Sequence, residues 1–161
     1  MNKLLNLLTQ FIKEEKAYAH CDIPCGIYDP FVVQRAAHTL LRMTNLIVGV
    51  KRENEIKAEH DIARMTIVKE KHADLLEEEL ETLRNDYFKK DHYKDFSNLN
   101  DLFITTLEFL AKTRQGIDVQ AASDTLEGVL KISEIFFKTK GVIPVRIKSI
   151  YPTEGEIVIY K

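Results

Sequence analysis

The fold is decided by residues 54–89, NEIKAEHDIARMTIVKEKHADLLEEELETLRNDYFK. Side chains suited to a buried face recur there at steps of three and four residues, which is the spacing of one face of a helix: Met65, Val68, His72, Leu76, Leu80, Leu83 and Tyr87. At 1.5 Å per residue, a helix of about 36 residues would span roughly 54 Å. A helix of that length needs neighbours along its apolar face.

Three shorter stretches carry the same helical pattern, with stripes led by Val33, Leu99 and Ala122. The first follows Pro30, which suits a first helical turn because its missing N–H would have no partner there. The second stops near Gly116. The third begins after Asp118, which can cap a helix. It ends in cations followed by Gly141, a pattern typical of a helix C-terminus. We therefore expect four amphipathic helices joined by short links.

Four such helices bury their stripes most simply against one another, so we predict an all-α fold, a four-helix bundle over residues 31–141. The pattern changes after residue 141. Two stretches rich in β-branched residues flank the turn sequence YPTEGE at residues 151–156, and this arrangement is typical of a β-hairpin. Residues 142–161 are expected to form a short C-terminal β-hairpin extension that packs on the bundle or on another subunit.

The composition excludes two classes of partner. The chain of 161 residues has 23 Lys and Arg against 25 Asp and Glu, interleaved along its length, and a formal net charge of -2. A protein that binds nucleic acid through charge needs a basic surplus, so no nucleic-acid partner is expected. Apolar runs end after a few residues, far short of the 18 or so that cross a bilayer, so no membrane span is expected.

The first 19 residues form a separate segment. Their apolar positions predict a short amphipathic helix, and a charged run, KEEK at residues 13–16, follows it; the apolar residues are Leu4, Leu5, Leu8, Phe11 and Ile12. A secretory signal has a longer apolar centre and no acidic residues just before its cleavage site. We therefore expect a cytoplasmic protein. Residues 1–19 would then be either a fifth helix or a pro-peptide.

Both cysteines of the chain lie in residues 20–30, HCDIPCGIYDP. Pro24 and Gly26 disfavour a helix, so we predict a compact loop ahead of the first bundle helix. Within such a loop, Cys21 and Cys25 can meet at one metal ion or form a small disulfide. On the spacing of the two cysteines alone, a disulfide or two inert thiols is the better interpretation.

A count of donor atoms narrows the choice of metal. The side chains of His20, Cys21 and Cys25 supply three donors, one fewer than a structural zinc site needs. If the chain began at His20, its α-amine and the ionised amide of Cys21 would complete a plane with the two thiolates, and the imidazole could bind axially. Such a plane favours Ni(II) or Cu(II), and thiolates reduce Cu(II) readily, which leaves nickel.

The order of residues in this loop, His-Cys-x-x-Pro-Cys-Gly-x-Tyr-Asp-Pro, resembles the metal-binding hook of the nickel superoxide dismutase family. Similar family signatures occur as VKE at 68–70, DYFK at 86–89 and IFF at 135–137, so the resemblance covers roughly residues 19–141. The hairpin lies outside it. The resemblance implies a four-helix bundle, a homohexamer, and conversion of superoxide anion to dioxygen and hydrogen peroxide at one nickel ion per subunit.

The resemblance also implies a role for residues 1–19, as a pro-peptide that a maturation protease removes at the Ala19–His20 bond. Residues 20–30 would then be the nickel-binding hook. His20 would supply the α-amine and the axial imidazole, Cys21 an amide nitrogen and a thiolate, and Cys25 the second thiolate. While Ala19 remains attached, the future amine is an amide and a poor donor. The uncut chain should therefore not hold nickel in its working geometry.

Three further residues match family positions. By the resemblance, Tyr28 and Tyr87 are phenols near the metal that control access and the order of water, and Lys89 is a cation that draws in the anionic substrate. Some members brace the axial histidine with an acidic residue and an arginine, whose positions here hold Ala36 and His72. A buried structural role and a role in orienting the axial histidine both remain open for His72.

A second hypothesis belongs to another class of protein. It is a non-catalytic helical-bundle redox sensor in which Cys21 and Cys25 switch between dithiol and disulfide. The remaining histidines, His38, His60 and His92, are expected to be solvated or part of the core. Lys69 and Glu70 fit either a functional element or a solvated ion pair, which would contribute only about 0–1 kcal/mol.

Overall fold

The computed structural model describes residues 25–161. Residues 1–24, which include the predicted pro-peptide, His20 and Cys21, lie outside the described residues. The described elements, in chain order, are helices α1 (Phe31–Val48), α2 (Glu55–Thr82), α3 (Lys90–Asp95), α4 (Leu99–Gln115) and α5 (Val119–Thr139), and strands β1 (Pro144–Lys148) and β2 (Glu156–Tyr160). The four predicted long helical segments and the hairpin are therefore confirmed.

The four long helices close into a ring around one core. Helix α1 packs on α2 and α5, and α4 packs on α5 and α2. Each helix contributes fully buried apolar side chains, among them Leu40, Leu76, Phe103 and Val129. Helices α4 and α5 approach closely at Gly128, where an added Cβ would lie 2.2 Å from Thr106 Oγ1. The four-helix bundle prediction is confirmed.

The buried face of α2 differs from the predicted stripe at one place. Val68 is 37% exposed, whereas Lys69 is only 2% exposed. The Lys69 ammonium donates to the carbonyl oxygens of Thr113 and Gly116, at 2.5 and 3.2 Å, and its Nζ lies 3.1 Å from a Glu70 carboxylate oxygen. A cation is favourable there because the last carbonyls of α4 carry partial negative charge. The solvated interpretation of Lys69 is therefore wrong.

The predicted continuous helix from Asn54 to Lys89 is also wrong at its end. Regular α-helix stops at Thr82, and a π-helical turn, Leu83–Tyr87, follows it. The Phe88 N–H donates to the Leu83 carbonyl at 2.9 Å, and Phe88 itself is extended. The wider turn lets both Tyr87 and Phe88 enter the core, which neighbouring residues of an α-helix do less readily because their side chains diverge by about 100°. Helix α3 follows and was not predicted.

The predicted cap at Asp118 and the predicted helix-end glycine at Gly141 are confirmed, whereas Pro30 is the N-cap of α1 and not part of its first turn. The Asp118 carboxylate accepts the N–H of Ala121 at 2.9 Å at the start of α5. After the end of α5, Gly141 has a φ of 74°, which only glycine adopts without strain. Asp29 accepts the N–H of Phe31 at 2.6 Å, and Pro30 is the residue just before α1. Among the described residues, no helix is both long enough and apolar enough to cross a membrane.

The hairpin is antiparallel and packs against the bundle. Its register runs from Pro144 opposite Tyr160 to Lys148 opposite Glu156, and both strands contact α5. Arg146 on β1 pairs with Glu127 and Glu134 of α5, at 2.8 and 2.5 Å. Its hydrogen bond to Glu127 holds the pKa of that carboxyl below its usual range. The hairpin is thus fixed to α5 by charge as well as by packing.

Helix α1 holds the second strand through two buried polar side chains. The Gln34 amide donates to the Val158 carbonyl at 3.1 Å and accepts the Val158 N–H at 2.7 Å. His38 Nε2 lies 2.9 Å from the Glu156 carbonyl and donates to it, so Nδ1 of the neutral ring accepts from the Thr153 hydroxyl at 2.7 Å. The prediction that the hairpin packs on the bundle is confirmed within the described residues.

Candidate metal centre

Cys25 lies in an exposed turn directly before α1. The turn depends on Gly26, whose φ of 71° lies in the left-handed region. The Ile27 N–H points at the Cys25 sulfur, with N and Sγ 3.4 Å apart. The same sulfur lies 3.9 Å from the Ile27 carbonyl oxygen, to which the thiol donates. The described part of the hook therefore places one thiol where a metal ion from solvent can reach it.

Tyr28 connects this turn to the bundle. Its ring packs against that of Tyr87, with centroids 5.3 Å apart and planes at 52°. Tyr87 is 9% exposed, packs on Phe136 at 4.5 Å, and shares a hydrogen bond with the Thr139 hydroxyl at 2.5 Å. The π-helical turn thus positions Tyr87, and Tyr87 in turn supports Tyr28. The structure brings together the two tyrosines that the sequence singled out.

Two lysines lie at the same end of the bundle. Lys89 is exposed and follows Tyr87 by two residues. Lys140, which the sequence indicated only as a helix-end cation, has its ammonium 4.7 Å from the centroid of Tyr87 and 5.5 Å from that of Phe136. A cation over an aromatic face is attracted by the π electrons of the ring. The spacing of four residues between Phe136 and Lys140, at the end of α5, could have indicated the contact with Phe136 but not the one with Tyr87.

The remaining histidines have structural surroundings. His38 is buried, and burial lowers its pKa, although the hydrogen bond to Glu156 opposes that shift. His92 is half-buried, stacks on Tyr87 with centroids 5.7 Å apart, and accepts the Lys89 N–H at Nδ1. His60 is exposed. The expectation of solvated or core histidines is therefore confirmed for His38 and His60, whereas His92 contacts Tyr87 and Lys89, two of the predicted site residues.

Ala36 and His72 stand where some family members have the acidic residue and the arginine that orient the axial histidine, and both contact other parts of the bundle. His72 is half-buried and donates from Nδ1 to the Val68 carbonyl of its own helix at 2.9 Å. Ala36 is fully buried in the core. The hydrogen bond of His72 and the packing of Ala36 both lie within the bundle. His72 is thus hydrogen-bonded within its own helix, and because His20 lies outside the described residues, the structural role and the role in orienting the axial histidine both stay predictions.

The donor set determines whether nickel fits this site. Of the three predicted ligands, the structure describes only Cys25; His20 and Cys21 lie outside the described residues. Within residues 25–161, no three His, Cys, Asp or Glu side chains converge as metal ligands would. A thiolate at Cys25 suits nickel, and the hook sequence offers the nitrogen and sulfur donors that tetragonal nickel prefers. The residues present therefore fit the metal.

The bundle and the exposed thiol turn define a class: a helical-bundle protein whose reactive segment precedes its first long helix. The match to known proteins is more specific. Residues 15–140 match the family model described as nickel-containing superoxide dismutase. The chain belongs to this family.

Two relatives are superoxide dismutases [Ni] from Streptomyces. The protein of Streptomyces seoulensis is 29% identical over 133 residues, which cover 81% of this chain and 95% of the relative. That of Streptomyces coelicolor is 31% identical over 122 residues, covering 76% of this chain and 88% of the relative. Each alignment covers most of both chains, so the likeness extends well beyond the hook.

Solved structures agree with this assignment. Native nickel superoxide dismutase, solved at 1.30 Å, superposes with a TM-score of 0.67 at 29% identity, covering 75% of this chain and 99% of that one. A structure with nickel ligation corresponding to the oxidised state gives 0.68 at 28% identity, covering 76% and 99%.

Membership in this family establishes the activity and the metal. The chain is a nickel-dependent superoxide dismutase, an oxidoreductase whose substrate is superoxide. Neither the family model nor these relatives support the alternative of a non-catalytic redox sensor. The matched range leaves out residues 1–14 and 141–161, which include the hairpin.

Proposed function

We propose that this chain dismutates superoxide at a single nickel ion held by His20, Cys21 and Cys25 after cleavage of the Ala19–His20 bond. The observation that carries the proposal is the turn at Cys25, which exposes a thiol and is anchored to the bundle through Tyr28 and Tyr87. Bound nickel would supply a one-electron redox change, because thiolate and amide donors stabilise its oxidised state.

The ligands would divide the work as follows. His20 would provide its α-amine and its imidazole, and Cys21 its amide nitrogen and thiolate. Cys25 would provide the second thiolate. Cleavage matters because an amine is a far better donor than the amide that it replaces. The chain would therefore be made inactive and be activated by proteolysis.

The tyrosines would control access to the site rather than exchange electrons. Tyr87 is held by Phe136 and by the Thr139 hydroxyl, so its ring has a fixed position. Tyr28 packs on it next to the turn of Cys25. Two fixed rings beside a small anion site limit what can approach it and order the nearby water.

Two lysines would raise the local concentration of the substrate. Lys89 is exposed near Tyr87, and the Lys140 ammonium lies over the Tyr87 ring. Positive charge around a site can raise the association rate of an anion by about 10 to 10³ fold. In the overall reaction one superoxide gives up an electron and leaves as dioxygen. A second superoxide takes up that electron with two protons and leaves as hydrogen peroxide.

We further propose that the mature protein is a cytoplasmic homohexamer. Large apolar side chains are exposed along α1 and α2, including Val48, Ile56 and Ile67, and subunit contacts would bury such residues. The proposed divisions remain residues 1–19 as pro-peptide, 20–30 as hook, 31–141 as bundle and 142–161 as hairpin extension. Analytical ultracentrifugation of the cleaved protein would measure the assembly directly.

The test of the proposed function compares the full chain with the chain cleaved at Ala19–His20. Each is incubated with nickel, desalted, and assayed for metal content by mass spectrometry and for superoxide removal. We expect one nickel per cleaved chain together with activity, and neither in the uncut chain. Equal nickel binding and activity in both forms would overturn the activation proposal.

A further inference from the structure

The two faces of the hairpin differ in character. The register pairs Val145 with Ile159 and Ile147 with Ile157, so these four β-branched side chains lie on one face of the sheet. The opposite face carries Arg146 and the fully buried Val158, and it packs on the bundle. The face turned away from the bundle is therefore entirely apolar along its paired strands. We call these four residues the outer face.

The outer face has no partner in the described core. None of its four residues belongs to the core cluster of residues 25–161 or is among the half-buried residues packed on it; Ile147 is 39% exposed, and the other three are half-buried. With five residues per strand, the face is about 17 Å long, and two strands make it roughly 10 Å wide. A stable protein interface buries about 800 Å² per partner, so this face alone is too small to hold a second copy.

We propose that the outer face is the docking site of the N-terminal segment of the same chain, residues 1–12. The apolar positions of this segment predict one amphipathic helix, with Leu4, Leu8 and Phe11 on its stripe. A helix of about 12 residues is about 18 Å long and about 10 Å wide, which matches the outer face in both dimensions. Its apolar stripe would cover the four β-branched residues.

The position of Cys25 makes this contact reachable. Phe31, six residues later, packs on Phe137 with centroids 5.8 Å apart, and Phe137 packs on Tyr160 at 5.1 Å. Tyr160 ends β2, so the start of α1 lies close to the open end of the hairpin. Residues 13–24 can span up to about 40 Å when extended. The linker is therefore long enough to place residues 1–12 along the strands.

The family comparison places both segments outside the shared pattern. The match begins at residue 15 and ends at residue 140, so most of the N-terminal segment and the whole hairpin fall beyond it. The described geometry places the start of α1 near the open end of the hairpin. This inference rests on the proposed function, in which residues 1–19 are removed on maturation. Docking would hold residues 1–12 on the bundle until cleavage. Their removal would then expose the outer face.

Hydrogen–deuterium exchange on the metal-free, uncut chain tests this docking. Residues 1–12 should exchange more slowly than the same sequence in a synthetic peptide of residues 1–19. The double variant Ile147→Thr, Ile159→Thr keeps β-branched residues in the strands but removes apolar area, so protection of residues 1–12 should fall by about tenfold or more. The matched control is Ile104→Thr, an exposed position on α4, which should leave the protection of residues 1–12 unchanged.

A second measurement keeps the proposal open to refutation if the double variant fails to fold. In the unsubstituted protein, residues 142–161 should exchange faster in the cleaved chain than in the uncut chain. Equal exchange of residues 142–161 in both chains would overturn the proposal. Protection of residues 1–12 that grows with protein concentration would also overturn it, because it would show a second copy on the outer face. Because nickel is absent, these outcomes are independent of the proposed metal chemistry.

Discussion

The hook and the hairpin are attached to the same bundle in opposite ways. The described hook turn is anchored by aromatic rings, Tyr28 on Tyr87, and it leaves the Cys25 thiol exposed. The hairpin is attached by polar contacts to the helices, buried ones at Gln34 and half-buried ion pairs at Arg146. Aromatic packing fixes a position without consuming donor atoms. The comparison indicates that the hook is arranged for ligand binding and the inner side of the hairpin for permanent attachment.

The largest effect should come from Cys25→Ser in the cleaved chain. A serine hydroxyl does not ionise near neutral pH, so one of the two anionic sulfur ligands is lost. Loss of a residue that merely supports a ligand costs about 10–100-fold in metal affinity or activity, so we expect at least about 100-fold lower superoxide removal. The measurement is the rate of superoxide decay with nickel content determined in parallel.

The control for this variant is Ser97→Ala, at an exposed position before α4, which should keep full activity. Circular dichroism should show the same helical signal for Cys25→Ser and the unsubstituted chain, because the aromatic anchor of the hook is unchanged. Retained activity in Cys25→Ser would show that this thiol does not bind the metal.

On the hairpin side, Gln34→Leu should produce the largest loss of stability. It leaves the N–H and carbonyl of Val158 buried without their side-chain partner, at a cost of about 1–3 kcal/mol for each group. We expect the free energy of unfolding, measured with urea, to fall by roughly 2–4 kcal/mol. Gln120→Leu, at an exposed position on α5, should change it far less. If Gln34→Leu and Gln120→Leu lowered the free energy of unfolding equally, the buried contacts of Gln34 would not distinguish the attachment of the hairpin from that of the hook.

Lys89→Gln should have a smaller effect, confined to the hook side. It removes one positive charge near Tyr87, so kcat/KM for superoxide should fall by about 2- to 10-fold at low ionic strength. The difference should shrink in high salt, because screening removes steering in both proteins. Lys112→Gln, on α4, is the matched control and should behave like the unsubstituted enzyme. A loss that persists in high salt would contradict a steering role.

The smallest effect should be a pH dependence of stability that originates at His38. Burial lowers the pKa of His38 from its usual 6.5, so the folded state prefers the neutral ring. The unfolded state then takes up a proton first as the pH falls. His38 therefore contributes stability above about pH 6.5 that is lost at lower pH. Thermal unfolding from pH 8 to pH 5 should show a slope that His38→Gln reduces and His60→Gln leaves unchanged.

Local patterns in the sequence predicted the bundle because helix stripes and caps are local properties. Asp118 and Gly141 each act within a few residues of their own position, and both were identified correctly. The burial of Lys69 could not be predicted in this way. Its partners, Thr113 and Gly116, belong to another helix, and only the assembled bundle brings them to the ammonium.

The same distinction applies to the site. The residue order of the hook indicated Cys25 and Tyr28, the DYFK signature indicated Tyr87, and the structure places the two tyrosines in contact. The cation over the Tyr87 ring was missed because Lys140 lies far along the chain from Tyr87. The π-helical turn was missed because one extra residue per turn leaves little trace in a stripe of three- and four-residue steps.

The central claim is that the α-amine of His20, once released, completes the nickel site. Electron paramagnetic resonance of the oxidised, nickel-loaded chain tests it most directly. We predict that the chain cleaved at Ala19–His20 gives a rhombic Ni(III) signal split by one axial nitrogen, that His20→Ala removes the splitting, and that the uncut chain gives no such signal. The same signal from the uncut chain would contradict the claim.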